Sequence, residues 1–141
     1  MTSSSLDRFL EAQARDFDTA LAEIKNGKKT SHWMWYIFPQ VRGLGHSEVA
    51  KYYAIKDRQE AEEFLRHPDL GTRLLTICEA LVELGGNDAH AVFGTPDDMK
   101  LRSSMTLFAA VSGSSSIFNK VLDQYFGGKA DQQTLRIMEI S

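Results

Sequence analysis

Apolar residues in this chain recur at three- and four-residue spacing, and no segment alternates apolar with polar residues over the length of a strand. Side chains return to the same face every ~3.6 residues in a helix and every ~2 in a strand, so this pattern points to helices and against a sheet. Leu6, Phe9, Leu10, Ala14, Phe17, Ala20, Leu21 and Ile24 form the apolar stripe of a helix over residues 6–25, with Asp7 suited to its positive start and Asn26-Gly27 to its stop. Ser4 or Ser5 offers an N-cap oxygen.

The same spacing, cut by helix breakers, continues to the C-terminus. Ser47 caps a helix running to about Ile55, and Asp57 caps the next over 58–66, which His67-Pro68 ends. Residues 69–84 carry Leu70, Leu74, Ile77, Cys78, Leu81 and Val82 on one face and close on Gly85-Gly86. Asn87 or Asp88 opens a short turn to Phe93. Thr95-Pro96-Asp97-Asp98 reads as an N-cap, a proline at the first helical position and a capping-box acid, starting a helix to about Val111. Ser115 to Phe126 and a last helix opened by Asp131 complete the reading. The expected fold is all-α: a single compact orthogonal helical domain over residues 1–141, of about seven or eight short helices, with residues 1–4 as a flexible N-terminus.

Composition narrows the function. The 141 residues are 43% hydrophobic and 25% charged, which supports a packed core and argues against disorder. Sixteen Lys+Arg against 19 Asp+Glu give a net charge of −3, so no electrostatic footprint for duplex nucleic acid follows. The single cysteine, Cys78, cannot form an internal disulfide or a zinc-thiolate cage, and its apolar neighbours mark it as a core thiol. The first residues lack the apolar stretch of a signal peptide, and the longest apolar run is far short of the ~20 residues a membrane span needs. A cytoplasmic protein without membrane contact is expected.

Few motifs carry chemistry. His32, His46, His67 and His90 are widely spaced, and no metal site or cofactor is expected from them. Gly43-Leu44-Gly45 lacks the rest of a phosphate loop, although Ser47 beyond it is either a plain cap or part of a generic anion-accepting turn. Lys100, Ser103 and Ser104 lie at helical spacing, so an amine and hydroxyls share a face.

The aromatic run Ser31-His32-Trp33-Met34-Trp35-Tyr36-Ile37-Phe38-Pro39-Gln40 is the densest feature. A short helix capped by Ser31 and ended by Pro39 fits it better than a strand, because no partner strand is visible. It reads either as core or as the wall of a pocket, since histidine, two indole N–H groups and a phenol need partners if buried. Facing the segment Lys100 to Phe108, it would form a cleft of hydrogen-bonding and positive character.

With this run, Gly43-Leu44-Gly45, Tyr53-Ala54-Ile55, His67 to Leu74 and Met99 to Phe108, the chain resembles a bacterial family of domains of unknown function, over about Leu6 to Met138. Its members are often labelled calpastatin. Inhibitors of that name are largely disordered chains that fold on their target, whereas this sequence has the composition of a globular domain. The resemblance implies a compact all-α fold and no established activity. His32, Trp33, Trp35, Gln40, Tyr53, Lys100, Ser103 and Ser104 fall in the matching motifs.

Three functions compete. The first is a small-molecule-binding domain or enzyme with an aromatic-walled pocket for an anionic, phosphate-bearing or nucleotide-like ligand. Trp33, Trp35 and Tyr53 would stack on it, Gln40 would orient it, Lys100, Ser103 and Ser104 would hold the anion, and His32 would transfer protons. If it is an enzyme, a hydrolase acting on such a molecule is expected, with Glu48 and Asp97 as the nearest carboxylates. The second is a protein-interaction module or homodimer built on the tryptophan-rich segment. The third makes the segment purely structural. Oligomeric state is not fixed by the sequence.

Overall fold

The periodic segments become nine helices among the described residues of the computed structural model, which are 6–113 and 116–140. They are α1 (Asp7–Lys25), α2 (Met34–Ile37), α3 (Glu48–Tyr52), α4 (Arg58–Arg66), α5 (Pro68–Leu84), α6 (Ala89–Phe93), α7 (Asp97–Ser112), α8 (Ile117–Phe126) and α9 (Gln132–Ile140). The described residues contain no strand; one isolated parallel bridge joins Val41 to Ile55. The N-terminal cap at Ser4 or Ser5 and the flexible 1–4 segment lie outside the described residues.

The core is one contiguous apolar cluster. Helix α7 runs through it, packing on α4, α6, α8 and α9, and is buried almost all round from Leu101 to Phe108. Helix α5 packs on α1, α4 and α8. An aromatic chain links the layers: Phe9 meets Phe64 edge-on at 5.2 Å, Phe64 meets Phe108 at 5.4 Å, and Phe108 meets Phe118 at 5.7 Å. A second cluster joins Trp33, Phe38 and Phe93. Helices α4 and α5 approach so closely that a Cβ on Gly71 would lie 2.1 Å from the Leu65 carbonyl oxygen.

Several caps fall where the residues predict: Ser47, Asp57 and Asp88 accept from backbone N–H groups at the starts of α3, α4 and α6. Ser116 does the same for α8. Gly85 and Gly127 take the left-handed conformation at the ends of α5 and α8. Three details differ. His67 does more than break the chain before Pro68: its Nδ1 accepts from Asp69 N–H at 3.1 Å and caps α5. The Thr95 hydroxyl bonds His90 Nδ1 at 2.9 Å, so the N-cap of α7 is Pro96 and carries no side-chain bond. Ser31 does not cap α2 either, because its hydroxyl donates to Glu23 of α1.

That Glu23 carboxylate organises the entry to α2. It accepts from Thr30 N–H at 2.8 Å, Ser31 N–H at 3.0 Å and the Trp33 indole N–H at 2.9 Å. Burial pushes the Glu23 carboxyl up, but the donors from Ser31, Thr30 and Trp33 outweigh it and hold it down at about 2. On the other side, the buried Gln13 amide donates to the Tyr36 carbonyl at 2.8 Å, satisfying an acceptor that the one-turn helix cannot. Two side chains of α1 therefore fix the aromatic run in place.

Candidate functional site

The aromatic run leaves α2 with most of its side chains buried: Trp33, Met34, Tyr36, Ile37 and Phe38. Trp35 is the exception. It is half-buried and lines an open cleft of about 460 Å³, a size typical of small-molecule sites. The chain then passes Pro39 and brings Gln40 to the same cleft. The Gln40 carbonyl accepts from Ile55 N–H at 2.8 Å, which anchors the backbone and leaves the side-chain amide free to face the opening. Among the described residues, neither that amide nor the Trp35 indole N–H has a protein partner.

The loop before α3 forms the second wall, with Leu44, His46 and Ser47. Gly45 is required there by close approach, since a Cβ would come within 2.5 Å of the Ala50 Cβ. The third wall is the start of α7. Lys100 and Ser103 are i and i+3 on that helix and share a face. The corner between α8 and α9 closes the cleft with Asp131 and Gln133.

The charges have a definite order. Lys100 Nζ stands 4.8 Å from the centre of the Trp35 ring and 3.2 Å from Asp97 Oδ1. Asp97 is shared: its Oδ2 lies 2.8 Å from Lys29 Nζ. Lys29 is only 7% exposed at its side chain, donates to the Ser31 carbonyl at 2.6 Å and rests 5.0 Å from the centre of the Trp33 ring. Lys29 and Lys100 therefore share the one Asp97 carboxylate, Lys29 from the buried side and Lys100 from the cleft side. An ammonium has three donors, so Lys100 retains N–H capacity beyond its bond to Asp97.

The acidic corner is equally fixed. Arg102 donates to the Lys129 carbonyl and to the Ala130 carbonyl, both at 2.9 Å. Asp131 N–H donates to the Thr106 hydroxyl at 2.8 Å. Asp131 Oδ2 accepts from Thr134 N–H at 3.1 Å, from the Thr134 hydroxyl, and from Ser103 Oγ at 3.2 Å.

The structure thus brings together Trp35, Gln40, Lys100 and Ser103 from the residues singled out by sequence. It places the others elsewhere. Trp33 is 1% exposed beneath Glu23 and Lys29. Tyr53 packs against Phe9 and Tyr36. Ser104 is fully buried, and its hydroxyl lacks a partner among the described residues. His32 is exposed and lies outside the cleft lining, and its backbone carbonyl accepts from the Tyr36 hydroxyl at 3.2 Å. Sequence reasoning gave Asp131 only a helix start and set His46 aside with the other histidines, yet both line the cleft. Among the described residues, no group of His, Cys, Asp and Glu is placed to hold a metal ion, and no helix is long and apolar enough to cross a membrane. Cys78 is fully buried, and burial pushes its thiol well above the usual range.

Fold and site together define an all-α protein with an open cleft in which a lysine stands on a tryptophan. The chain belongs to the family described as "Protein of unknown function (DUF1810)", whose model matches residues 3–138. It is similar to a solved structure, the conserved hypothetical protein Rv1873 from Mycobacterium tuberculosis, at 40% identity over 96% of this chain and 97% of that one, with a TM-score of 0.93. No curated protein matches the sequence.

Proposed function

We propose that this protein binds a small phosphate-bearing or nucleotide-like molecule in the cleft between α2, α3, α7 and α9. The observation that carries the reading is Lys100, held at 4.8 Å on the Trp35 ring and sharing the Asp97 carboxylate with Lys29. A cation fixed beside an aromatic face and open hydrogen-bonding groups suits an anionic ligand with a flat or polar body. Gln40 and Ser103 supply orientation, and His46 supplies a further donor at the rim. The aromatic run gives less support to a tryptophan-rich docking patch, because all of its aromatic residues but Trp35 are buried. For Trp33, Tyr53 and Ser104, the core reading fits best.

A thermal-shift panel of inorganic phosphate, nucleoside monophosphates, ADP-ribose and sugar phosphates tests this. A ligand at 100 times its Kd adds about 2.7 kcal/mol of stability, a rise in Tm of roughly 10 °C for a chain of this size. Lys100→Ala is expected to abolish the rise, while His32→Ala, which alters a side chain outside the cleft, leaves it unchanged. A rise that survives Lys100→Ala, or no rise with any anion, refutes the reading.

A further inference from the structure

Asp131 lines the cleft and keeps one carboxylate oxygen without a protein partner among the described residues. Its Oδ2 takes bonds from Thr134 N–H, the Thr134 hydroxyl and Ser103 Oγ, whereas Oδ1 has no protein partner among the described residues. Helix capping accounts for Oδ2. It does not account for the bonds of Arg102 to the Lys129 and Ala130 carbonyls or for the Thr106 bond to Asp131 N–H, which fix the corner that delivers this carboxylate. Lys100 and Asp131 line the same cleft, yet Lys100 pairs with Asp97 and makes no ion pair with Asp131. Two opposite charges are thus held apart, each by its own set of bonds.

Resting on the proposed anion site, we infer that the ligand is a polyhydroxylated phosphomonoester, of the sugar-phosphate or nucleotide type, whose hydroxyl donates to Asp131 Oδ1 while its phosphate meets Lys100. Both charged groups are tied to one helix: Lys100 and Ser103 are i and i+3 on α7, and Ser103 Oγ is 3.2 Å from Asp131 Oδ2. A hydroxyl is favoured over an ammonium as the donor, because the carboxylate charge is already spread into the bonds on Oδ2 and Lys100 repels a second cation.

The test compares glycerol 3-phosphate with n-propyl phosphate, which has the same three-carbon monoester and no hydroxyl, by calorimetry or NMR titration, with ribose 5-phosphate as a larger probe. Wild-type protein is expected to bind glycerol 3-phosphate and ribose 5-phosphate about tenfold tighter than n-propyl phosphate, the scale of one hydrogen bond to a charged acceptor. Asp131→Asn keeps a side-chain oxygen for capping α9. It is expected to lower affinity for the two polyols to the n-propyl phosphate level and to leave n-propyl phosphate binding no weaker. Equal wild-type affinities for the three-carbon pair overturn the inference without needing any variant, as does discrimination that survives Asp131→Asn. If none of the three binds, this inference fails, and the anion site stands or falls separately on inorganic phosphate and the nucleoside monophosphates.

Discussion

The two tryptophans of one short segment have opposite fates, and the difference lies in their partners. Trp33 gives its indole N–H to Glu23 and its ring to the core, whereas Trp35 keeps both for the cleft. Glu23 makes that division testable through pH. Its folded value of about 2 lies below the ordinary 4.5, so its contribution to stability is complete above roughly pH 4.5 and is lost as pH falls toward 2. Glu23→Gln is expected to cost about 1–2 kcal/mol near neutrality. The gap from wild type should close in thermal melts near pH 2, and a constant gap contradicts the assignment. Cys78 gives a second test at this scale. Buried and with its thiol pushed up, it should react with a thiol reagent only as fast as the protein unfolds, and rapid labelling of the native protein would contradict its place in the core.

At the scale of elements, local chemistry was the legible part. Asp57, Asp88 and Gly85 announce their helix ends because a cap depends on residues a few positions away. The predicted caps at Ser31 and Thr95 failed because partners outside the helices to be capped, Glu23 and His90, bond their hydroxyls. The expected seven or eight helices become nine among the described residues, with α2 only one turn long, too short to carry a periodicity of its own. The cleft was legible as two facing segments and not as a residue set. Which face of a one-turn helix meets α7 depends on Gln13 and Glu23 reaching across from α1, and Asp131 arrives through bonds from Arg102 and Thr106 far back in the chain. Helix contact itself supplies a prediction. Gly71→Ala pushes a methyl into the Leu65 carbonyl, so it should destabilise the fold by about 1–3 kcal/mol. A denaturant melt with an unchanged midpoint would show that α4 and α5 do not approach as described.

For the whole molecule, a net charge of −3 hides a local arrangement: a lysine paired with Asp97 and a separate carboxylate, Asp131, lining one open cleft. Total charge speaks against a polyanion such as duplex nucleic acid, and the local order favours a small anion with hydroxyls. The most direct measurement of the central claim follows the indole N–H resonances of the only two tryptophans during titration with a nucleoside monophosphate. The account predicts that the Trp35 signal moves with saturable dependence while the Trp33 signal, locked to Glu23 in the core, stays in place. Neither signal moving, or Trp33 moving instead of Trp35, would contradict it.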